Sequence, residues 1–591
     1  MRRPHIRRVA IAVAVTTAAT LPGPAFAAVP DGPARVATSA SSPVAAARAA
    51  AFAHAAATGV TQGDTLQAKD VMTDPDGKQH VRFVRTHRGL PVLGGDLVVH
   101  LGRRGEYLGV TRAADHVVKP STVEAKLTPQ QAEQKAAAAA KGDAGAAELV
   151  VDARDGAAAL AYQVLVSDSD TTEAGGSRTV VVDARDGRIR SNTPDSDEFI
   201  SPSLADTLRE HGESATPRTG TAPALAGLTS AAAAGHYPVK ATGSGASLFA
   251  GKVALTTTRT ARTSYLLKDP TRWNTETRDA KGQELESFAG GKKFTDGDNK
   301  WGTGTTAART TAAVDAQYGI TQTLDFYRKT FGRKGIKNNS AGARGMVHFG
   351  KKVGNAFWDS TCGCMLYGDG DGDLFKKPLV VLDVTGHELT HGVVDATAAL
   401  EPTRVDADGN QYGEPGALNE SLADIFGSNV EFSANNPKNP PNYLVGEKLG
   451  LAQKFLRRLD HPSLDRLEGT IDYWSPAAYD TEVHAGSGVS SHAYYLLAEG
   501  SGRKTIGGVQ YDSATYDGSP VTGIGRAKAT AVFYRALTRY MVSTTDFHDA
   551  RGATLKAAAD MYGATSAEYK AVDAAWAAVN VTVANTPAAD H

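Results

Sequence analysis

Alternation of apolar and polar residues, and its change to helical periodicity, divides the chain into blocks. The only long apolar run is N-terminal. Arg2, Arg3, Arg7 and Arg8 precede Val9 to Leu21, and Ala25-Phe26-Ala27 stands ahead of Ala28, the layout of an export signal (1–27) cut after Ala27. Its apolar centre of about a dozen residues ends in proline and small residues, which disfavours the alternative of a membrane anchor. Residues 28–61 are rich in Ala, Ser and Pro with no sustained amphipathic pattern, and read as a low-complexity, weakly ordered lead-in. Alternating runs at His80–Val84 and Asp96–Leu101 predict strands of a module over 62–115. A helix over Thr128–Lys141 and strands at Leu149–Val151, Ala161–Val166 and Thr179–Asp183 predict a second module over 121–195. Residues 196–235 have the Ser, Thr, Pro and Ala content of an exposed, cleavable linker. From 236 to 378, short β-like runs such as Gly251–Thr258 and Thr263–Leu267 alternate with Gly- and Asp-rich turns, whereas helical periodicity dominates 379–591. Such segregation predicts an α+β protein with a β-rich N-lobe, a helical C-lobe and a cleft between them.

Length adds that 591 residues exceed one ordinary core, so several domains are required. Charge excludes more than it suggests: 63 basic residues against 64 acidic ones leave no footprint for nucleic acid or a strongly anionic partner. No internal apolar run is long enough to span a membrane. The two cysteines, Cys362 and Cys364, cannot make a four-cysteine zinc site; a bridge across one residue and a pair of free thiols both stay open.

The chemistry concentrates in His387-Glu388-x-x-His391. Histidines four apart lie one above the other on a helix, so both imidazoles can reach one cation, and Glu388 is placed to hold a water; the pattern is a known metalloprotease signature. A catalytic zinc needs a third protein ligand and one open position. Glu420, in the apolar-periodic run Gly416–Gly427, is the candidate, with Asp424 one turn on to fix the tautomer of a zinc histidine. A solvated acidic helix face is the bland alternative for that pair.

The segments around His387 and Glu420, together with Asn355-Ala356-Phe357-Trp358, Met365–Gly372, Tyr412, Val483-His484 followed by Ser487-Gly488, and Ile524–Arg526 with Phe533–Leu537, resemble thermolysin, the zinc endopeptidase family of secreted bacterial neutral proteases. The resemblance runs from about residue 236 to the C-terminus, and Gly89-Leu90-Pro91-Val92 resembles the first module of that family's propeptide. It implies a secreted zinc endopeptidase acting on proteins and peptides, with its own two-module propeptide as folding aid and intramolecular inhibitor; a monomer is the default for a secreted protein. It implies that His387, His391 and Glu420 hold one zinc ion and that Glu388 shuttles the proton. His484, oriented by Asp480, and Tyr412 would stabilise the oxyanion, and Arg457 would hold the neighbouring carbonyl. Asn355 and the Ala356 carbonyl would bind an extended peptide, while Phe375, Val384, Val445, Leu449 and Leu456 would line a pocket for a large hydrophobic residue after the scissile bond. Asp383, Glu431 and Glu447 match calcium ligands, but Asn442 and Leu444 replace two other acids there, so one calcium is expected. Asp296 and Asp298 are open between a second calcium site and a plain turn. The Asp369-Gly-Asp371 run is no EF-hand, because its twelfth position is Val380, and Asp406-x-Asp408-x-Asn410 reads as a solvated turn. Two other functions compete: a noncatalytic zinc-keeping binding protein, disfavoured by Glu388 and His484, and an aminopeptidase, for which no amine-holding motif is visible.

Overall fold

A helix at Pro43–Ala53 (α1) stands first among the described residues and puts Ala47 and Ala51, one turn apart, against Leu66, Val81, Phe83 and Leu97. The expected weakly ordered lead-in is thereby corrected from residue 43 on, while its part over 28–41 lies outside the described residues. An alanine stripe carries little amphipathic signal in sequence, and the sheet beneath supplies the burial. The computed structural model describes residues 42–154, 156–168, 177–205, 237–285 and 287–585. The export signal at 1–27 and the linker from 206 to 235 lie outside the described residues.

Strands β1 (Asp64–Thr73), β2 (Gln79–His87), β3 (Leu90–Leu93), β4 (Leu97–Leu101) and β5 (Tyr107–Arg112) make the first module. Helix α2 (Pro129–Ala140) starts the second; Thr128 accepts from the Gln131 amide while the Gln131 side chain accepts from the Thr128 amide, so two orphan N–H groups are satisfied reciprocally. Strands β6 (Glu148–Asp152), β7 (Ala159–Asp168), β8 (Ser177–Asp183) and β9 (Ile189–Pro194) follow. Parallel pairing of β3 with β6, Val92 opposite Val151, fuses both modules into one sheet.

Two residues after β9 the chain enters another sheet. This strand, β10 (Ser196–Glu198), is the edge of the N-lobe sheet. The N-lobe itself has a five-stranded sheet around β11 (Val239–Ala246) and β12 (Lys252–Ala261), and a second built from β13 (Thr275–Gln283), β14 (Arg344–Phe349), β15 (Ala356–Asp359) and β16 (Cys364–Tyr367). In that second sheet β10 pairs antiparallel with β15, placing Ser196, Asp197 and Glu198 opposite Asp359, Trp358 and Phe357. Cys362, in the turn after β15, is disulfide-bonded to Cys364, the first residue of β16.

A 23-residue helix, α3 (Arg309–Phe331), packs behind these strands. It was not expected among short β-like runs, and the reason is burial: most of its circumference is covered, so no apolar stripe stands out. Its buried polar groups find partners instead, Gln317 with Thr277, and Asp325 with Arg272.

The helical lobe carries α4 (Leu382–Asp395), α5 (Glu414–Ala434), α6 (Gly488–Glu499), α7 (Arg526–Arg539), α8 (Phe547–Tyr562) and α9 (Ala567–Ala577). Helices α4 and α5 cross where both have glycine. A Cβ on Gly386 would stand 3.0 Å from the Gly427 Cα, and one on Gly427 would stand 2.8 Å from the Asp383 carbonyl oxygen. Two backbones can come this close only with no side chain between them, and that closeness brings the acids of α5 onto the histidines of α4. Among the described residues, no helix is long and apolar enough to cross a membrane.

Candidate active site

His387 and His391 project from α4 toward α5, and both rings are fully buried. The Nδ1–H of His387 donates to Asp424 at 2.7 Å, and that of His391 donates to the Asn419 side-chain Oδ1 at 3.0 Å. With both protons placed there, the two Nε2 atoms face each other at 3.0 Å. Glu420 closes the group, 3.3 Å from His387 Nε2 and 3.6 Å from His391 Nε2, and its Oε2 is buried without a hydrogen-bond partner. Two nitrogen lone pairs and an orphaned carboxylate oxygen repel one another unless a cation sits among them. This donor set fits zinc.

The site favours positive charge among these groups, and a proton on His387 takes the place that a cation would fill. Burial opposes a charge on His387, but Asp424 and Glu420 outweigh it and raise its pKa to about 9. Burial likewise opposes the Glu420 carboxylate, yet His484, His391 and His387 hold it well below the usual range. Glu388 is different: burial, with Glu420 and Asp197 nearby, pushes it well above. One of its oxygens accepts from the Trp358 amide at 2.8 Å, and the other is buried and unpartnered.

Behind the histidines stands a buried ionic chain. Arg457 donates to Asp424 through Nε at 2.8 Å and Nη2 at 3.0 Å, and to Glu468 through Nη1 at 2.9 Å. His484 lies across the cleft from α4, with its Nε2 at 3.5 Å from Glu420.

Residues 196–200 occupy the cleft, strand β10 running on into Phe199 and Ile200. The Phe199 amide donates to the Ala356 carbonyl at 3.1 Å. Asn355 grips Ile200 at both ends, accepting from its amide at 2.9 Å and donating to its carbonyl at 3.0 Å. His484 donates to the Glu198 carbonyl at 2.7 Å, and Arg457 reaches the Phe199 carbonyl at 3.4 Å. The Phe199 ring is fully buried, edge-on to His387 and beneath the Arg457 guanidinium. A Cβ on Gly446 would touch Leu449, Leu456 and the tip of this ring, which locates the pocket floor. Phe375, Val384 and Val445 are buried in the same apolar cluster.

Two expected roles are corrected. Asp480 does not orient His484: its exposed carboxylate pairs with Arg404 at 2.8 Å, and Glu482, two residues nearer, accepts from His484 Nδ1 at 2.9 Å and from its amide at 2.7 Å. Tyr412 is drawn aside by the preceding loop. Its hydroxyl donates to Asp406 at 2.9 Å and Arg404 covers its ring, so the hydroxyl already has an acceptor of its own. Asp296 forms a plain turn, accepting from the Asp298 and Asn299 amides. Asn419, Glu468, Glu482 and Phe199 were missed in sequence. Asn419 alone had a local signal, since it directly precedes Glu420 on the same helix.

A second cluster lies beside α4. Asp383, Glu431 and Glu447 bring carboxylate oxygens within 4.8 Å of one another, and each keeps one buried oxygen unpartnered. Asn442, where an acid was expected, donates to Glu447 at 3.0 Å.

The description "Thermolysin metallopeptidase, catalytic domain" matches residues 242–395, and its alpha-helical counterpart matches 408–581. A thermostable neutral protease NprT from Geobacillus stearothermophilus is 32% identical, over 88% of this chain and 86% of its own. This chain belongs to the thermolysin family of metallopeptidases. Thermolysin from Alicyclobacillus acidocaldarius subsp. acidocaldarius is 33% identical, over 86% of this chain and 84% of its own. A transglutaminase-activating metalloprotease from Streptomyces mobaraensis is 38% identical over 88% of this chain, which spans 62% of that relative's length. Ahead of the thermolysin domains, the Fungalysin/Thermolysin Propeptide Motif matches residues 64–114, and the peptidase propeptide and YPEB domain matches 126–192. A propeptide therefore precedes the thermolysin-type peptidase.

Proposed function

We propose that this chain is a secreted zinc endopeptidase, made as an autoinhibited precursor, that hydrolyses internal peptide bonds preceding a large hydrophobic residue. The observation that carries the reading is the segment in the cleft: its backbone is held by Ala356, Asn355, His484 and Arg457 while the Phe199 ring is buried against His387. Main-chain recognition tolerates any sequence, and the apolar pocket supplies the preference. The bound segment has chain on both sides of the Glu198–Phe199 peptide, the strand Ser196–Glu198 before it and Phe199 and Ile200, held by Ala356 and Asn355, after it, which favours an endopeptidase over an aminopeptidase.

Zinc held by His387, His391 and Glu420 would polarise the scissile carbonyl and acidify the attacking water. Glu388 takes the proton of that water and delivers it to the leaving nitrogen. His484, fixed by Glu482, donates to the carbonyl oxygen as negative charge grows there. Arg457 holds the next carbonyl while keeping Asp424, and through it His387, in place. Tyr412 has no part in this scheme. The test is cleavage of an end-blocked peptide with phenylalanine or leucine after the intended bond by processed, zinc-loaded enzyme; failure across a broad panel of such peptides would refute endopeptidase function.

One calcium ion in the Asp383–Glu431–Glu447 cluster is part of the proposal, since three buried carboxylates each with a free oxygen suit a hard cation. Excess calcium should raise stability by about 2–3 kcal/mol, the increment for a ligand near 100 times its Kd. Glu431→Gln should remove most of that gain in a melting titration, and an undiminished gain would place the ion elsewhere.

Docking of the propeptide depends on Asp74, in the turn between β1 and β2. It accepts from His80 at 3.0 Å and from Arg535 of α7, which also binds Asp560 at 2.8 Å. Burial opposes the charge of Asp74, but hydrogen bonds from His80 and Arg535 prevail and hold its carboxyl below its usual 3.8. A carboxyl so depressed stabilises the folded precursor above pH 3.8 and loses that contribution as pH falls toward its lower native value. Asp74→Asn, made in uncut Glu388→Gln precursor, should cost about 1.5–3 kcal/mol near neutral pH, and the gap should close in acid. A gap independent of pH would exclude the ionic role.

A further inference from the structure

The strand in the cleft lies in the register of a substrate, and we infer that the Glu198–Phe199 peptide bond is the first bond this enzyme cuts, in its own chain. This rests on the endopeptidase reading above and names the substrate of that same site. The Glu198 carbonyl is the one that His484 holds, at 2.7 Å, and His484 Nε2 is 3.5 Å from Glu420, so this carbonyl faces the metal ligands. The amide on the other side of the bond is fixed by the Ala356 carbonyl, and its side chain fills the pocket at His387, Gly446, Leu449 and Leu456. Anchors on either side keep the bond from sliding. Asp195 accepts from the Ser360 hydroxyl at 2.8 Å, and the Ser203 amide donates to Asn410 at 2.8 Å. A register shift of one residue would turn Phe199 out of its pocket and break both contacts of Asn355.

The step is a hydrolysis. Oxygen of water bonds to the Glu198 carbonyl carbon, the bond from that carbon to the Phe199 nitrogen breaks, and Glu388 carries a proton from the water to that nitrogen. The products are the Glu198 carboxylate and a chain beginning at Phe199, whose new N-terminus takes up the water's second proton as an ammonium group. Because the strand lies in the cleft of its own molecule, the reaction is first order in chain. The matured enzyme then starts within the stretch expected to be a linker, at its N-terminal end.

The experiment uses full-length precursor purified in chelator and started with zinc, followed by intact mass and N-terminal sequencing at early times, beside an end-blocked Asp195–Ser203 peptide given to matured enzyme. The expected result is a break after Glu198, at a rate independent of chain concentration, with Glu388→Gln precursor left whole. Phe199→Asp should slow this break about 100-fold, whereas Phe199→Leu should stay within about 10-fold. An earliest break elsewhere, or a rate rising with concentration, in a chain that still cleaves blocked peptides overturns the inference and leaves the endopeptidase reading intact. A break after Glu198 in Glu388→Gln precursor also overturns it. A zinc-loaded chain that cuts neither itself nor any blocked peptide overturns both.

Discussion

Glu388→Gln should lower kcat by about 10²–10⁴-fold with little change in zinc content or stability. The glutamine is nearly isosteric and its carbonyl oxygen can still accept from the Trp358 amide, as Glu388 does at 2.8 Å. What it cannot do is accept a proton. The loss corresponds to about 3–5 kcal/mol of transition-state stabilisation and should appear in kcat rather than KM, because peptide binding rests on Ala356, Asn355 and the pocket, not on Glu388. Steady-state kinetics on a blocked peptide, with zinc measured in the same samples, is the check. An activity loss smaller than about 10-fold in zinc-loaded protein would remove Glu388 from the proton path.

Arg457→Met should be the most destabilising single change near the site, by about 3–5 kcal/mol. The guanidinium is buried and answers two buried carboxylates, Asp424 and Glu468, with three close hydrogen bonds. Methionine fills much of the volume and leaves both acids uncompensated. Asp424 also orients His387 through a 2.7 Å hydrogen bond, so loosening it should weaken zinc binding about 10–100-fold. Urea unfolding in a Glu388→Gln background, which prevents self-digestion, measures the first effect, and competition with a zinc chelator measures the second. A stability loss below about 1 kcal/mol would mean that the chain of charges is solvated or has another counterion.

The contrast between Glu482 and Asp480 explains why second-layer partners were hard to read. Both acids precede His484 within one turn of chain, and sequence cannot tell which faces it. Val483–Gly486 is a short helical turn capped by Glu482, and the same carboxylate that accepts from the His484 amide also reaches its ring. Asp480 sits at the end of a separate 3₁₀ turn and points to solvent. Tyr412 shows the reverse difficulty. The family resemblance implied an oxyanion role for it, but the loop before it brings Asp406 to its hydroxyl. Arg457 was singled out for a substrate carbonyl, and its three shorter contacts go to Asp424 and Glu468.

By itself the sequence determined what depends on neighbours along the chain. Residues four apart on a helix share a face whatever surrounds them, so His387 and His391 had to converge. The capping box at Thr128 and Gln131, the strand alternation of the propeptide and the helical periodicity after residue 379 are local in the same sense. Only the tertiary structure decided which distant groups meet. Glu420 reaches His387 because Gly386 and Gly427 let two helices touch, and the strand at Ser196–Glu198, which reads as linker, becomes ordered because the edge of β15 offers it hydrogen bonds and a pocket takes Phe199. Composition marks such a segment as soluble and cleavable, and it cannot say that the blade lies in the same molecule, since that pairing joins residues more than a hundred positions apart.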